Sequence, residues 1–322
     1  MENDHLSIIQ WALDTRPLWP SATETKDLNE AASREFSLLN EGERQTVLRY
    51  HFVKDAKLSL ASALLKRLSI TTLLADVSWE ESSRWKRDEK TGKPTFDIPP
   101  SSCDTQNKKK VMRFNVSHQA GVVVLIASAL TTEEEDEKIL DVGIDVVCQS
   151  ERRGRDLTSI ASEGWSRYVA VHEDVFSPLE ASSLRKLDSS SSDDTRLAYF
   201  YTLWCLREAY IKMTGEALLA PWLKDLEMRH FSPPPSPSSS SNQDSNNDDY
   251  PPLEIWFRGR PVQDVCMRLS SLLDDQYVVS TAVRCPPRLR ARVEHQLALP
   301  FTQLVLDEMV AEAEEANRRR RQ

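Results

Sequence analysis

Residues Val111 to Leu130 read VMRFNVSHQAGVVVLIASAL. Val111 to Val116 predicts a strand, and Val122 to Leu130 predicts a second strand apolar enough to be buried on both faces. Ser117 to Gly121 predicts the turn between them. Upstream, Asp55 to Leu68 (DAKLSLASALLKRL) places Leu58, Ala61, Leu65 and Leu68 at helical spacing, with Asp55 as the expected N-cap. Downstream, Ile139 to Val147 (ILDVGIDVV) is a further β-rich run. The same order then recurs. A long helix is expected from about Thr195 to Met213, stopped by Gly215, with strands at Leu253 to Phe257 and Tyr277 to Val283.

Helix, strand, strand occurring twice predicts an α+β protein of two similar, pseudo-symmetric halves, 1–140 and 141–303, followed by a helical tail, 304–322. Two segments are too polar to bury a core and read as unstructured. They are the serine–acid run Ser189 to Asp194 and the Ser/Pro/Asn/Asp stretch from Phe231 to Pro252, a surface insertion. The tail ends in Arg318 to Arg321, which read as solvated.

Composition narrows the function. The 322 residues carry a net charge of −9, which lacks the basic footprint of a nucleic-acid binder. The cysteines at 103, 148, 205, 266 and 285 form no C-x-x-C pair, and the six histidines lack metal-ligand spacing. The chain therefore reads as a reduced cytoplasmic protein, without a zinc site or disulfide framework. The run Val122 to Leu130 is too short to cross a bilayer, and the N-terminus lacks a signal pattern. With only eight glycines, neither G-x-G-x-x-G nor a P-loop is present, so phosphate binding would fall to side chains.

Four clusters carry chemistry. They are Thr91-Gly92-Lys93-Pro94; Phe114-Asn115-Val116-Ser117-His118-Gln119; Val142-Gly143-Ile144-Asp145-Val146-Val147; and Trp204-Cys205-Leu206-Arg207-Glu208-Ala209-Tyr210-Ile211-Lys212. Asp145 interrupts an apolar strand, where a carboxylate needs a cation or hydrogen bonds. Trp204, Glu208 and Lys212 fall on one helix face. Each has a blander reading when taken alone. Asp145 could face water from an edge strand, Glu208 and Lys212 could form a solvated pair, Lys93 could be a loop lysine, and His118 an ordinary strand-end histidine. Ser117 and His118 are neighbours on a strand and point apart, so they are not a nucleophile–base pair.

Together and in this order, the clusters resemble 4′-phosphopantetheinyl transferases of the surfactin-synthetase-activating type. That family carries a G-x-D strand, here Gly143-Ile144-Asp145, followed by W-x-x-K-E-x-x-x-K, here Trp204 to Lys212 with Arg207 replacing the first lysine. The Gly-Lys-Pro and Asn-x-Ser-His elements and the Arg49 to Leu65 stretch also match. The resemblance spans about Arg44 to Arg229 and is closest to fungal members.

The resemblance implies a fold of two related α+β halves with coenzyme A bound between them. It implies that the phosphopantetheine arm of coenzyme A is transferred to a serine of an apo carrier protein, releasing 3′,5′-ADP. By motif position, Asp145 and Glu208 would hold Mg²⁺, Glu208 would also act as base, and Lys212 would contact the reacting phosphate. Lys93, Ser117 and His118, and more loosely Arg44 and Arg49, would bind coenzyme A phosphates. Implied partners are carrier domains of fatty-acid, polyketide and nonribosomal peptide synthases and of aminoadipate reductase, with no nucleic acid or membrane partner; a monomer suffices. Where many bacterial members have a second acid, this chain has Val147, which leaves a metal position to water or Gln119. A carrier-binding homologue without catalysis and a different metal-dependent phosphoester enzyme are the rival readings. The second would need a larger acid cluster than the sequence shows.

Overall fold

The computed structural model describes residues 4–99, 109–132, 140–187, 190–216, 220–234, 251–274 and 276–318. It is a mixed α+β chain of two compact units, Met1–Val142 with Ala291–Gln322, and Gly143–Arg290.

The first unit contains β1 (His5–Asp14), α1 (Glu41–Leu48), α2 (Val53–Leu73), β2 (Lys109–Gln119) and β3 (Val122–Thr132). Its sheet runs Thr302–Gln303, β1, β3, β2. β3 is central and antiparallel to both neighbours, with Leu125 opposite Trp11 on one side and Val116 on the other. Val122 to Ala127 are fully buried, as the apolar run predicted. Leu60, Leu64 and Leu68 of α2 share a core with Phe114 and Leu125.

Three local expectations change. The first residue of α2 is Val53, with extended Phe52 before it, and Asp55 sits in the first turn. The Asp55 amide is already bonded to the Phe52 carbonyl, so Asp55 cannot be the cap. β2 continues through Ser117, His118 and Gln119, which pair with Val124, Val123 and Val122. The turn is only Ala120–Gly121, at φ 47° and 88°, the geometry of a two-residue hairpin. The segment set apart as a tail contains the helix Leu306–Arg318, whose Met309, Val310 and Ala313 enter the first unit's core. Arg319 to Arg321 lie outside the described residues.

The second unit contains α3 (Pro178–Arg185), α4 (Asp193–Thr214), β5 (Leu226–Arg229), β6 (Glu254–Phe257), β7 (Val265–Leu272) and β8 (Tyr277–Arg284). β8 is flanked by β7 and by β4 (Asp141–Cys148), which carries the G-x-D motif. Leu206, Ala209 and Met213 of α4 share a core with Val147, Val278 and Ala282. The serine–acid run is in part the start of α4. Ser192 accepts from the Thr195 amide at 3.2 Å, and Asp193 and Asp194 form the first turn, where their charge suits the helix dipole. Gly215 ends α4 in the left-handed conformation at φ 78°. Most of the Ser/Pro/Asn/Asp stretch, residues 235–250, lies outside the described residues.

Candidate functional site

In the second unit, the motif strand is seated directly on the backbone of α4. A Cβ at Gly143 would lie 2.2 Å from the Ala209 carbonyl oxygen and 2.4 Å from the Met213 amide nitrogen. No other residue permits that approach. Two residues on, Asp145 is 7% exposed, and the Cys205 thiol of α4 donates to its carbonyl at 3.4 Å. The Lys212 ammonium donates to Asp145 Oδ1 at 2.6 Å. Burial, and then the nearby charge of Asp145, push the Glu208 carboxyl up to about 7, while Lys212 pulls it down. The structure therefore brings Asp145, Glu208 and Lys212 into one electrostatic unit. Trp204, one turn before Glu208, stacks on Phe200 at 6.2 Å and meets the edges of His172 and Phe176. Val175, Phe176, Trp204, Glu208 and Ile211 line an apolar groove beside these acids.

Arg207, the departure from the family pattern, is buried. It pairs with Glu180 Oε2 of α3 at 2.6 Å, donates to the Leu226 carbonyl at 2.9 Å, and also bonds the Leu223 carbonyl. Glu180 in turn accepts the Ser177 and Met228 amides at 2.8 and 2.7 Å. This network ties α3 and β5 to α4. Val147 lies in the apolar core, 7% exposed. Among the described residues there is no group of three or more His, Cys, Asp or Glu placed to hold a metal. Cys148, Cys205, Cys266 and Cys285 are buried thiols outside any disulfide, and Cys103 is outside the described residues.

In the first unit, Lys93 ends a tight turn. Asp88 Oδ1 accepts the Lys90 and Thr91 amides at 3.0 and 2.8 Å, and Gly92 takes φ 66°. Lys93 Nζ reaches Asp141 Oδ1 at 2.5 Å, and Arg113 Nε approaches the same oxygen at 3.9 Å. Ser117 is buried and His118 exposed, as neighbours on a strand require. A cleft of about 540 Å³ gathers Arg49, Lys66, Trp85, Arg87 and His118. It thus brings together two of the residues predicted from sequence, Arg49 and His118. Arg44 does not line it and donates instead to the Leu39 carbonyl at 3.2 Å; Lys93 and Ser117 do not line it either. Lys66, Trp85 and Arg87 escaped the sequence reading. The basic-aromatic run Arg84-Trp85-Lys86-Arg87, directly before the Gly-Lys-Pro turn, was the available signal.

Comparison with known proteins places both parts of the chain in one family. Residues 26–130 match the family described as 4′-phosphopantetheinyl transferase, N-terminal, and residues 141–280 match the 4′-phosphopantetheinyl transferase superfamily. The chain is 48% identical over 281 residues to 4′-phosphopantetheinyl transferase 1 of Fusarium mangiferae, covering 86% of this chain and 87% of that one. It is 33% identical over 351 residues to the 4′-phosphopantetheinyl transferase of Aureobasidium melanogenum, covering 95% and 97%. It is also 28% identical over 209 residues, 64% and 67%, to the L-aminoadipate-semialdehyde dehydrogenase-phosphopantetheinyl transferase of Schizosaccharomyces pombe. With both parts of the chain matched, and with relatives of 48% and 33% identity covering most of its length, the chain belongs to the 4′-phosphopantetheinyl transferase superfamily.

Proposed function

We propose that this protein transfers the 4′-phosphopantetheine arm of coenzyme A to a serine of an apo carrier protein. The observation that carries the reading is the assembly of Asp145, Glu208 and Lys212 where the strand meets α4. The serine oxygen forms a bond to the β-phosphorus of coenzyme A, the bond from that phosphorus to the bridging oxygen breaks, and 3′,5′-ADP leaves. Glu208 accepts the serine proton; burial and the charge of Asp145 raise its carboxyl above the ordinary carboxylate range, which strengthens it as a base. Lys212 moves within reach of the phosphoryl oxygens and neutralises charge that grows there in the transition state. Lys93, Ser117, His118 and Arg49 contribute to holding coenzyme A phosphates, with Arg44 left to a supporting role at its own helix.

Two carboxylates fit Mg²⁺, which prefers one or two acids completed by water and substrate phosphates. Asp145 and Glu208 would hold it, and it would supply charge neutralisation at the pyrophosphate. The buried, apolar setting of Val147 leaves the rest of the ligand set to water and substrate. The relatives' names support carrier domains of the aminoadipate-semialdehyde dehydrogenase type as partners, and so a role in lysine synthesis. Among the described residues no helix is long and apolar enough to cross a membrane. We place the reaction in the cytoplasm, carried out by a monomer. The test is release of 3′,5′-ADP, followed by chromatography. Release should need the apo carrier and vanish when the carrier's acceptor serine is alanine; release independent of that serine would reject the proposal.

A further inference from the structure

The cleft of the first unit holds more positive charge than its local partners neutralise. α2 presents Ser59, Ser62, Ala63 and Lys66 to it, at spacings of three, four and seven that share one helix face. Lys66 Nζ lies 3.6 Å from the centre of the Trp85 ring, and among the described residues it makes no ion pair. Charged groups surround it from each neighbouring element. Glu43 of α1 gives its Oε2 to Arg67 at 3.1 Å and to the Asn40 amide at 3.0 Å, while its Oε1 is buried without a hydrogen-bond partner. Among the described residues it is the single carboxylate in the cleft wall, and it faces Arg49, Lys66, Lys86 and Arg87. Lys86 is paired with Asp97 at 2.6 Å. Arg87 donates to the Gly92 carbonyl at 2.8 Å and keeps its charge. Arg49 follows α1, and His118 enters from β2. The Ser62 hydroxyl is buried in the cleft wall without a hydrogen-bond partner. An orphaned donor beside an ammonium parked on an indole face describes a site made for an anion.

We propose that Lys66, poised on Trp85 with Ser62 beside it, is a phosphate-binding residue of this cleft and sets its affinity for the nucleotide end of coenzyme A. The identity of the ligand rests on the transferase reading above; the anion site itself rests on the cleft. A consequence for pH follows. Burial, and then the charge of Arg87, lower the Lys66 ammonium to about 8, with Glu43 opposing. A phosphate dianion beside it restores the proton, so binding above pH 8 takes up a proton and weakens as pH rises. Methionine at 66 keeps the length and contact with Trp85 but carries no charge, while arginine stays charged throughout.

The experiment is calorimetric titration of the full chain with adenosine 3′,5′-bisphosphate at pH 7 and pH 9, with melting curves to confirm folding. Wild type should bind about tenfold more weakly at pH 9, the change expected of one group with a pKa near 8. Lys66→Met should bind about tenfold or more weakly than wild type at pH 7, with a flat pH response. Lys66→Arg should match wild type at pH 7 and hold that affinity at pH 9. Lys66→Met binding as tightly as wild type, with the same fall at pH 9, overturns the assignment, as does a wild-type protein that ignores the nucleotide. Nucleotide binding of the expected pattern without carrier modification upholds the site and overturns the transferase reading instead.

Discussion

Lys212 donates to Asp145 Oδ1 at 2.6 Å across the seam between helix and strand, with the lysine side chain 29% and the aspartate side chain 10% exposed. The same lysine opposes the rise of the Glu208 carboxyl. One cation therefore serves both acids, and removing it leaves two carboxylates facing each other. Lys212→Met should lower kcat by about 10²-fold or more, the scale of losing a transition-state charge contact. It should also raise the Glu208 carboxyl further, moving the acid limb of the kcat/KM–pH profile upward. A reduced rate with an unmoved limb would show that Lys212 does not act on Glu208.

Magnesium and protons should compete at Glu208. In the metal-free protein this carboxyl is raised from the ordinary 4.5 to about 7, so its ionisation costs fold stability as pH rises across that interval. Mg²⁺ needs the ionised form. The magnesium-induced gain in Tm should therefore be larger at pH 8 than at pH 6, and Glu208→Gln should abolish most of it. Equal gains at both pH values, measured by differential scanning fluorimetry, would contradict this linkage.

Gly143 can be tested directly. Gly143→Ala places a methyl group against the backbone of Ala209 and Met213, where no side chain can yield. The strand must lift from α4, at a cost of about 3 kcal/mol or more, and Asp145 is carried away from Lys212. Chemical denaturation and transfer activity should both fall. An unchanged denaturation midpoint would mean the strand is not pinned to the helix there.

The parts legible in the sequence are those whose side chains follow a period. β3, the helical stretch around Leu58 to Leu68 and α4 announced themselves through apolar spacing, and Gly215 marked the end of α4. β1 and β7 did not. His5–Asp14 and Val265–Leu272 mix polar and apolar residues irregularly, because their exposure does not alternate cleanly. The hairpin turn was read too long because Ser117, His118 and Gln119 are polar, yet their backbone pairs with β3. The Asp145–Glu208–Lys212 assembly was visible as motifs, whereas the Lys66–Trp85 contact joins residues nineteen apart whose types alone suggest a surface. Arg207 read only as a replacement for the first lysine of the motif; the fold shows it bound to Glu180 and two carbonyls.

That network predicts a structural role for Arg207. Arg207→Ala leaves Glu180 buried and unpaired, which should cost about 3–5 kcal/mol of stability. Arg207→Lys keeps the charge but not the fork that reaches Glu180, Leu223 and Leu226 together, so it should be intermediate. Urea denaturation of both variants decides this; a lysine variant as stable as wild type would show that the forked geometry is not needed.

Whether the assembly on α4 moves a phosphopantetheine arm is read from the intact mass of the acceptor. An apo carrier domain is incubated with coenzyme A, Mg²⁺ and either the wild-type protein or Asp145→Asn. Wild type should add the mass of one phosphopantetheine arm to the acceptor serine, and Asp145→Asn, folded by its melting curve, should add none at matched time. An Asp145→Asn protein that modifies the carrier as fast as wild type, or a folded wild-type protein that leaves every carrier unmodified, would contradict that role for the assembly.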